Sequence, residues 1–190
     1  MTTDKRLIEA AAELLDAGGE EAVTLRAVGH AAGVSHNAPY KHFANRSALL
    51  AAVATVSFAD LAEAMAAIRR SAQTPIDKLF ATLDLLMGYS REHPARYRLL
   101  FNNPETAAAG GDLKVKALET FEHFRSIVQE CQEANDLPGA PSGTLASLIF
   151  ATTHGLLAIE GNGQLHPEKG LSSVKGSLEI LLALLAPPKA

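Results

Sequence analysis

The sequence predicts an all-α protein with about nine helices. Apolar residues recur at helical spacing along most of the 190 residues, and turn or capping residues separate the apolar segments. No segment shows the sustained alternation of apolar and polar residues that is typical of strands. The composition, with 47% hydrophobic and 20% charged residues, is typical of a globular protein.

The first two helices are short segments that end at glycines. Leu7 and Leu15 lie on one face of the first helix, and Gly18 ends that pattern. Thr24 is a suitable N-cap for a second, shorter helix that Gly33 ends. The spacing therefore predicts two helices separated by a tight connection.

The third helix contains a proline, which costs about 3 kcal/mol in a helix interior. With Ser35 as the N-cap, Pro39 falls at the end of the first turn, and with Asn37 as the N-cap it falls earlier, where few hydrogen bonds are lost. Asn45 is predicted to cap a long fourth helix that ends at Arg70.

A break at residues 71–74 predicts a domain boundary. Residues 1–50 are expected to form one domain, residues 74–190 a second, and the fourth helix, at about 45–70, to connect them. The segment "NNPETAAAGGD" is predicted to be a loop. Five further helices are expected at about 75–93, 94–101, 113–131, 144–160 and 171–186.

The charge distribution is uneven. The chain has a net charge of -4, but Ala22 to Ala59 contain no Asp or Glu. The basic and titratable residues of this segment are Arg26, His30, His36, Lys41, His42 and Arg46. A surface built from the second and third helices is therefore expected to be locally positive, as contacts with nucleic-acid phosphates require.

Two short helices joined by a tight turn predict a helix-turn-helix, whose second helix enters the major groove of DNA. Gly33 can supply the positive φ of the turn, and Gly29 allows the two helices to approach closely. His36 and Asn37 are the expected base contacts, since both side chains can hydrogen-bond to purine edges. The expected phosphate contacts are Thr24, Arg26, Ser35, Tyr40, Lys41, His42 and Arg46. His30 is expected to be a surface or packing residue.

Residues 23–54 resemble the DNA-binding domain of the TetR family of bacterial repressors. The resemblance is carried by Thr24, by the Ala-Gly-Val-Ser turn at residues 32–35, by Tyr40 and Phe43, and by the pair at residues 45–46. Two departures are Val-Gly at residues 28–29 and Ala-Pro at residues 38–39. The resemblance implies a homodimeric regulator that binds a pseudo-palindromic DNA operator and is released by a ligand in its C-terminal domain.

The resemblance also implies that the last two helices form a four-helix interface between two chains. The expected interface residues are Leu148, Thr152, Leu156, Leu178, Leu182 and Leu185. Unpaired, these apolar helices would expose a large hydrophobic patch, which independently favours a dimer. The segments "YRLLFNNP" and "THGLLAIE" resemble a subtype that carries Trp-His-Gly, although Thr153 stands in place of its Trp.

Several aromatic and apolar residues of the middle helices are candidates for lining an effector pocket, and an ordinary core is the alternative. They are Phe80, Leu83, Met87, Tyr97, Phe101, Phe121, His123 and Phe124. Because few charged residues lie among them, the expected effector is a small hydrophobic or aromatic molecule.

No catalytic, metal or cofactor site is predicted. The single cysteine, Cys131, is expected to be a buried helix residue, and no third ligand accompanies Glu119 and His123 at metal-binding spacing. Thr144 to Ile159 fall short of the about 20 residues that span a bilayer, so a cytoplasmic protein without a membrane partner is expected. The alternative function is a small-molecule-binding helical dimer with enzymatic or sensor activity and no DNA binding.

Overall fold

A computed structural model describes residues 1–170 and 173–188 of the chain, and in these residues it contains helices and no strands. The all-α prediction is confirmed. The α-helices are α1 (Thr3–Gly18), α2 (Leu25–Ala31), α3 (Ala38–His42), α4 (Arg46–Arg70), α5 (Pro75–Glu92), α6 (Pro94–Phe101), α7 (Pro104–Ala108), α8 (Gly111–Glu133), α9 (Ser142–Gly161) and α10 (Val174–Leu185). Two 3₁₀ turns lie at Glu20–Ala22 and Pro167–Lys169.

The chain forms two compact units. Unit one comprises Met1–Leu61 and Glu92–Leu118, and unit two comprises Ala62–Arg91 and the chain from Glu119 onward. Unit one therefore holds α6, α7 and the start of α8 together with the first three helices. This division differs from the predicted boundary between residues 1–50 and 74–190, which followed the chain order alone.

In unit one, α1 packs against α2, α3 and α6. The buried face of α1 carries Leu7 and Leu15, as its spacing predicts, and these side chains share the core with Val23, Val28 and Leu49. The predicted N-caps are confirmed: Thr24 Oγ1 accepts from the Ala27 amide at 3.1 Å, and Asn45 Oδ1 accepts from the Ala48 amide at 2.8 Å.

The predicted loop after α6 contains a short helix, α7. Asn103 Oδ1 accepts from the amides of Glu105 (2.8 Å) and Thr106 (3.2 Å), and Pro104 occupies the first helical position. The capping signal of an Asn before a Pro was present in the sequence. The alanine and glycine residues that follow it led to the incorrect prediction.

In unit two, α9 and α10 pack against each other. The core of this unit includes Leu79 and Leu83 of α5, Phe124 of α8 and Ile149 of α9. Thr74 Oγ1 accepts from the Asp77 amide at 3.3 Å, which confirms the predicted start of α5.

Among the described helices, α4 and α9 are long and apolar enough to cross a membrane by length and composition. The helix α9 has 20 residues, longer than the Thr144–Ile159 segment predicted from sequence. Half of the apolar window of α4 is buried inside the protein, and core helices of soluble proteins meet the same criterion.

Candidate nucleic-acid interface

The connection between α2 and α3 is a tight turn held from α1. Gly33 has a φ of 62°, in the left-handed region that favours glycine, so the predicted role of this residue is confirmed. Arg6 of α1 donates from Nη2 to the carbonyl oxygen of Ala32 at 2.5 Å. The turn is thus fixed both by its own backbone and by a hydrogen bond from a neighbouring helix.

The position of Pro39 explains how a proline is accommodated in α3. Asn37 is the N-cap residue, so Pro39 lies in the first turn, where its missing N–H has no intrahelical partner to lose. Its ring is buried against α2: a Cβ atom at Gly29 would lie 2.8 Å from Pro39 Cγ and 3.3 Å from Cδ. The absence of a side chain at Gly29 therefore permits the close approach of α2 and α3.

The outer face of α3 and the turn before it is polar and exposed. Tyr40 is 54% exposed, and its ring centroid lies 6.1 Å from that of His36. His36 Nδ1 lies 3.4 Å from Asn37 Oδ1, so the two predicted base-contacting side chains are adjacent. The other exposed members of this face, called here the reading face, are Ser35, Lys41 and His42.

A cleft of about 620 Å³ adjoins the reading face. Its walls include Thr24, Arg26 and His30 of the α2 region, together with His36. His30 and Arg26 are four residues apart on α2, so they share one side of the helix. His30 is exposed, which agrees with the expectation of a surface residue, and it lines this cleft. The cleft carries hydrogen-bond donors suited to a phosphate.

The Arg46 side chain is 40% exposed, and its guanidinium is also held by other parts of the protein. Its Nε donates to the carbonyl oxygen of Val23 at 2.8 Å, and its Nη2 donates to the carbonyl oxygen of Glu20. The same guanidinium lies 3.7 Å from the Glu20 carboxylate. Arg46 therefore joins the start of α4 to the segment before α2. Its contact with a DNA phosphate stays a prediction.

Asp16 in the last turn of α1 and Glu20 in the following 3₁₀ turn hold the α6 region within unit one. Asp16 Oδ2 lies 2.8 Å from His93 Nδ1 and 2.7 Å from Arg96 Nη2. Glu20 Oε1 accepts from Asn103 Nδ2 at 2.9 Å. These contacts join residues about 80 positions apart in sequence, and spacing along one helix cannot reveal them.

The predicted dimer residues of α9 and α10 divide into two sets. Leu156, Leu178 and Leu182 are buried within the single chain, so the prediction that they face a partner is corrected. Leu148 (61% exposed) and Thr152 face outward. Leu185 is half-buried. Ile180 and Leu184, which the sequence analysis missed, are exposed.

The predicted effector-pocket residues do not fall in one unit. Tyr97 and Phe101 lie in unit one with ring centroids 4.9 Å apart, and burial raises the pKa of Tyr97. The other six lie in unit two: Phe80, Leu83, Met87, Phe121, His123 and Phe124. Leu83 and Met87 are buried in the core. The ring of Phe124 lies 5.7 Å from that of Phe150.

Cys131 and His154 have buried surroundings that suit packing. Burial raises the pKa of Cys131 to about 12, which keeps its thiol protonated. His154 lies with its ring centroid 4.0 Å from that of Phe150, and burial lowers its pKa to about 4. In the described part of the chain, no three His, Cys, Asp or Glu residues are grouped so that they could hold a metal ion.

The tight turn, the exposed reading face and the acid-free segment together define a helix-turn-helix DNA-binding regulator. Residues 7–53 match the family of bacterial regulatory proteins, tetR family, and residues 79–185 match the tetracyclin repressor-like C-terminal domain. The chain belongs to the tetR family. Proteins of this family are transcriptional regulators that bind DNA operators and form dimers. The matches do not extend to the Trp-His-Gly subtype, which stays a prediction.

Solved structures share the fold along the whole chain. A protein of unknown function from Rhodococcus sp. RHA1 is 24% identical, with a TM-score of 0.82 over 98% of this chain and 97% of that chain. A tetR-family regulatory protein from Rhodococcus RHA1 is 18% identical, with a TM-score of 0.69 and full coverage of both chains. A TetR family transcriptional regulator from Thermus thermophilus is 17% identical, with a TM-score of 0.65 over 95% of this chain and 97% of that chain. No curated protein matches the chain.

We expect Gly29→Ala to destabilise the protein, because the added Cβ would overlap the Pro39 ring. Overpacking of this kind costs about 1–3 kcal/mol, whereas alanine in place of glycine gains only about 1 kcal/mol in a helix. Pro39→Ala removes the obstructing Cγ, so the double variant should be more stable than the sum of the single effects. Urea unfolding measures all three variants.

Gly88→Ala is the matched control, since a Cβ at this helical glycine meets no atom within 4 Å. It should leave the free energy of unfolding unchanged or slightly raised. Strictly additive effects of Gly29→Ala and Pro39→Ala would show that the two residues are not in steric conflict.

We expect His154 to make stability depend on pH. Because its pKa falls from 6.5 to about 4 on folding, the unfolded chain binds more protons between these values. Stability is therefore lost as the pH falls from about 6.5 to about 4, by at most about 3 kcal/mol. The free energy of unfolding, measured with urea across this pH range, should depend less steeply on pH in His154→Gln than in the unmodified protein. His166→Gln is the control, since His166 is exposed. Equal slopes of the free energy of unfolding against pH in the two variants would contradict the assignment of this pH dependence to His154.

Proposed function

We propose that the protein is a cytoplasmic, ligand-released repressor that binds a pseudo-palindromic operator as a homodimer. The observation that carries this proposal is the reading face, which is exposed and lies in a segment without acidic residues. A dimer would place two such faces in major grooves about one helical turn of DNA apart, or a multiple of that distance. Such binding would block transcription from the regulated promoter.

The contacts with DNA divide by chemistry. His36 and Asn37 lead the reading face and are proposed to contact base edges, since an Asn amide can pair with adenine N6 and N7. The proposed contacts to phosphates comprise the donors around the cleft and the remaining members of the reading face. They are Thr24, Arg26, His30, Ser35, Tyr40, Lys41 and His42. Arg46 stays a predicted contact, since its side chain is 40% exposed although backbone carbonyls hold its guanidinium.

The outward face of α9 and α10 is the proposed dimer interface. On α9 it carries Leu148, Ala151, Thr152 and Gly155, which recur at a spacing of three and four residues and are all exposed. Small residues among them allow another helix to approach closely. On α10 the exposed Ile180 and Leu184 continue the apolar surface. Pairing with a second copy would remove these side chains from water.

A small hydrophobic or aromatic effector is proposed to bind in unit two and lower the affinity for DNA. The helices α4 and α8 each contribute residues to both units, so a displacement in unit two can reach unit one along a continuous helix. The effector must bind the two conformations with affinities that differ by about 1–3 kcal/mol for such coupling. Asp16 and Glu20 connect the α6 region to the end of α1 inside unit one.

We expect Asn37→Ala and Lys41→Ala to weaken DNA binding in different ways. The operator is first selected from random duplexes with the purified protein, and binding is then titrated against salt. Asn37→Ala should relax the preference at one position of each half-site and cost about 1–3 kcal/mol. Lys41→Ala should weaken binding to all sequences and reduce the salt slope by about 1 per site.

Lys114→Ala is the control for these variants, because Lys114 is exposed in unit one but lies outside the acid-free segment. Its operator affinity and salt slope should equal those of the unmodified protein. Identical sequence preferences and salt slopes for Asn37→Ala and Lys41→Ala would refute the proposed division of contacts. A protein that enriches no duplex sequence would refute the proposed function.

We expect Leu184→Arg to disrupt assembly of the dimer and Leu156→Arg to disrupt folding of the chain. Leu184 is 79% exposed, so an arginine there should leave the chain folded but monomeric, with weak operator binding. Leu156 is buried, so the same change places a charge in the core and should lower the melting temperature strongly. Sedimentation and thermal unfolding measure both effects. A Leu184→Arg protein that remains dimeric at micromolar concentration contradicts the proposed interface.

A further inference from the structure

Three of the seven histidines of the chain lie in the acid-free segment, at positions 30, 36 and 42. His30 and His36 line the cleft of about 620 Å³ beside the reading face, together with Arg26. No Asp or Glu is among the described lining residues of this cleft. Histidine is the side chain whose charge ordinarily changes between about pH 5 and 8, so the positive charge of this cleft depends on pH.

The helices that pack against α2 bring positive charge near the cleft. From α1, Arg6 reaches the turn and donates to the carbonyl oxygen of Ala32 at 2.5 Å. From α3 come the exposed Lys41 and His42. The acids that precede the acid-free segment do not line the cleft; they are Asp4, Glu9, Glu13, Asp16, Glu20 and Glu21.

Other histidines of unit one already have an acidic neighbour. His93 Nδ1 lies 2.8 Å from Asp16 Oδ2. The pKa of Asp4 is lowered first by a hydrogen bond with Thr2 and, among the smaller causes, by the charge of His42. His30 and His36 form no ion pair with a carboxylate of the residues that the structure describes. A DNA phosphate would therefore be the first anion that these two imidazoles meet.

The surroundings of His36 show what a proton adds. Its Nδ1 lies 3.4 Å from Asn37 Oδ1, and its ring centroid lies 6.1 Å from that of Tyr40. When Nδ1 carries a proton and donates to Asn37 Oδ1, the neutral ring has only an acceptor at Nε2. A second proton turns Nε2 into a charged donor, which a phosphate oxygen or the N7 atom of a purine can accept.

We propose that operator binding is coupled to the uptake of protons by His30 and His36, so that the regulator binds DNA more tightly as the pH falls from about 8 to about 6. This inference rests on the proposed function. The coupling is reciprocal, because phosphates stabilise the charged imidazoles and the charged imidazoles raise the affinity for DNA by the same factor. In a homodimer each histidine acts twice.

The test is titration of operator DNA with the full-length protein at pH 6 and pH 8, after the operator is selected from random duplexes at both pH values. The affinity should be at least about ten-fold higher at pH 6, and its salt dependence steeper, because charged imidazoles release counterions from DNA. The double variant His30→Gln/His36→Gln should lose most of this pH dependence. His30→Lys, charged at both pH values, should bind more tightly than the unmodified protein at pH 8.

His166→Gln is the matched control, since His166 is exposed in unit two and outside the cleft. It should keep the full pH dependence of operator affinity. Circular dichroism at pH 6 verifies that each variant is folded, because His154 destabilises the chain only as the pH falls below about 6.5.

The inference is overturned by equal operator affinity at the two pH values, or by a folded double variant that keeps the pH dependence of the unmodified protein. Either result leaves the proposed function intact, because an operator has then been selected and bound. Selection of no sequence at either pH would instead overturn both the proposed function and the coupling that rests on it.

Discussion

The contact between Gly29 and the ring of Pro39 is the constraint on which the DNA-binding surface depends. The helix α3 has only five residues, so its own hydrogen bonds cannot fix its direction. Its direction is set by the packing of Pro39 on α2, which is possible only because Gly29 has no side chain. Two local rules, that proline belongs in a first turn and glycine at a close contact, thus place the reading face outward.

The features that the sequence predicted correctly are those decided within a few residues. The caps at Thr24 and Asn45 and the turn at Gly33 depend on local backbone geometry, and all three occur in the structure. The role of Arg46 could not be predicted, because its partners are backbone carbonyls more than twenty positions earlier. The outward faces of α9 and α10 were also predicted only in part. Both helices are apolar on most sides, so the spacing of their apolar residues does not distinguish the buried face from the outward face.

The end of α1 shows how charge can define a structural unit. A carboxylate near a helix C-terminus is disfavoured by the helix dipole, yet Asp16 occupies the last turn of α1. Its contacts with His93 and Arg96 offset that disadvantage and join α6 to the first helices. Unit one is consequently larger than the fifty residues that carry the helix-turn-helix motif. Any movement of α6 then acts directly on the helix that holds the turn through Arg6.

The burial of Leu156, Leu178 and Leu182 inside one chain also bears on how the regulator responds to its own abundance. Since α9 and α10 already bury these leucines against their own chain, a subunit that separates from its partner keeps a folded core. Dilution in the cell would therefore create a reserve of folded single chains rather than material for proteolysis. For the homodimeric repressor proposed above, occupancy of a two-half-site operator would rise with about the square of protein concentration while single chains predominate. The proposed repression would then be sensitive to small changes in expression.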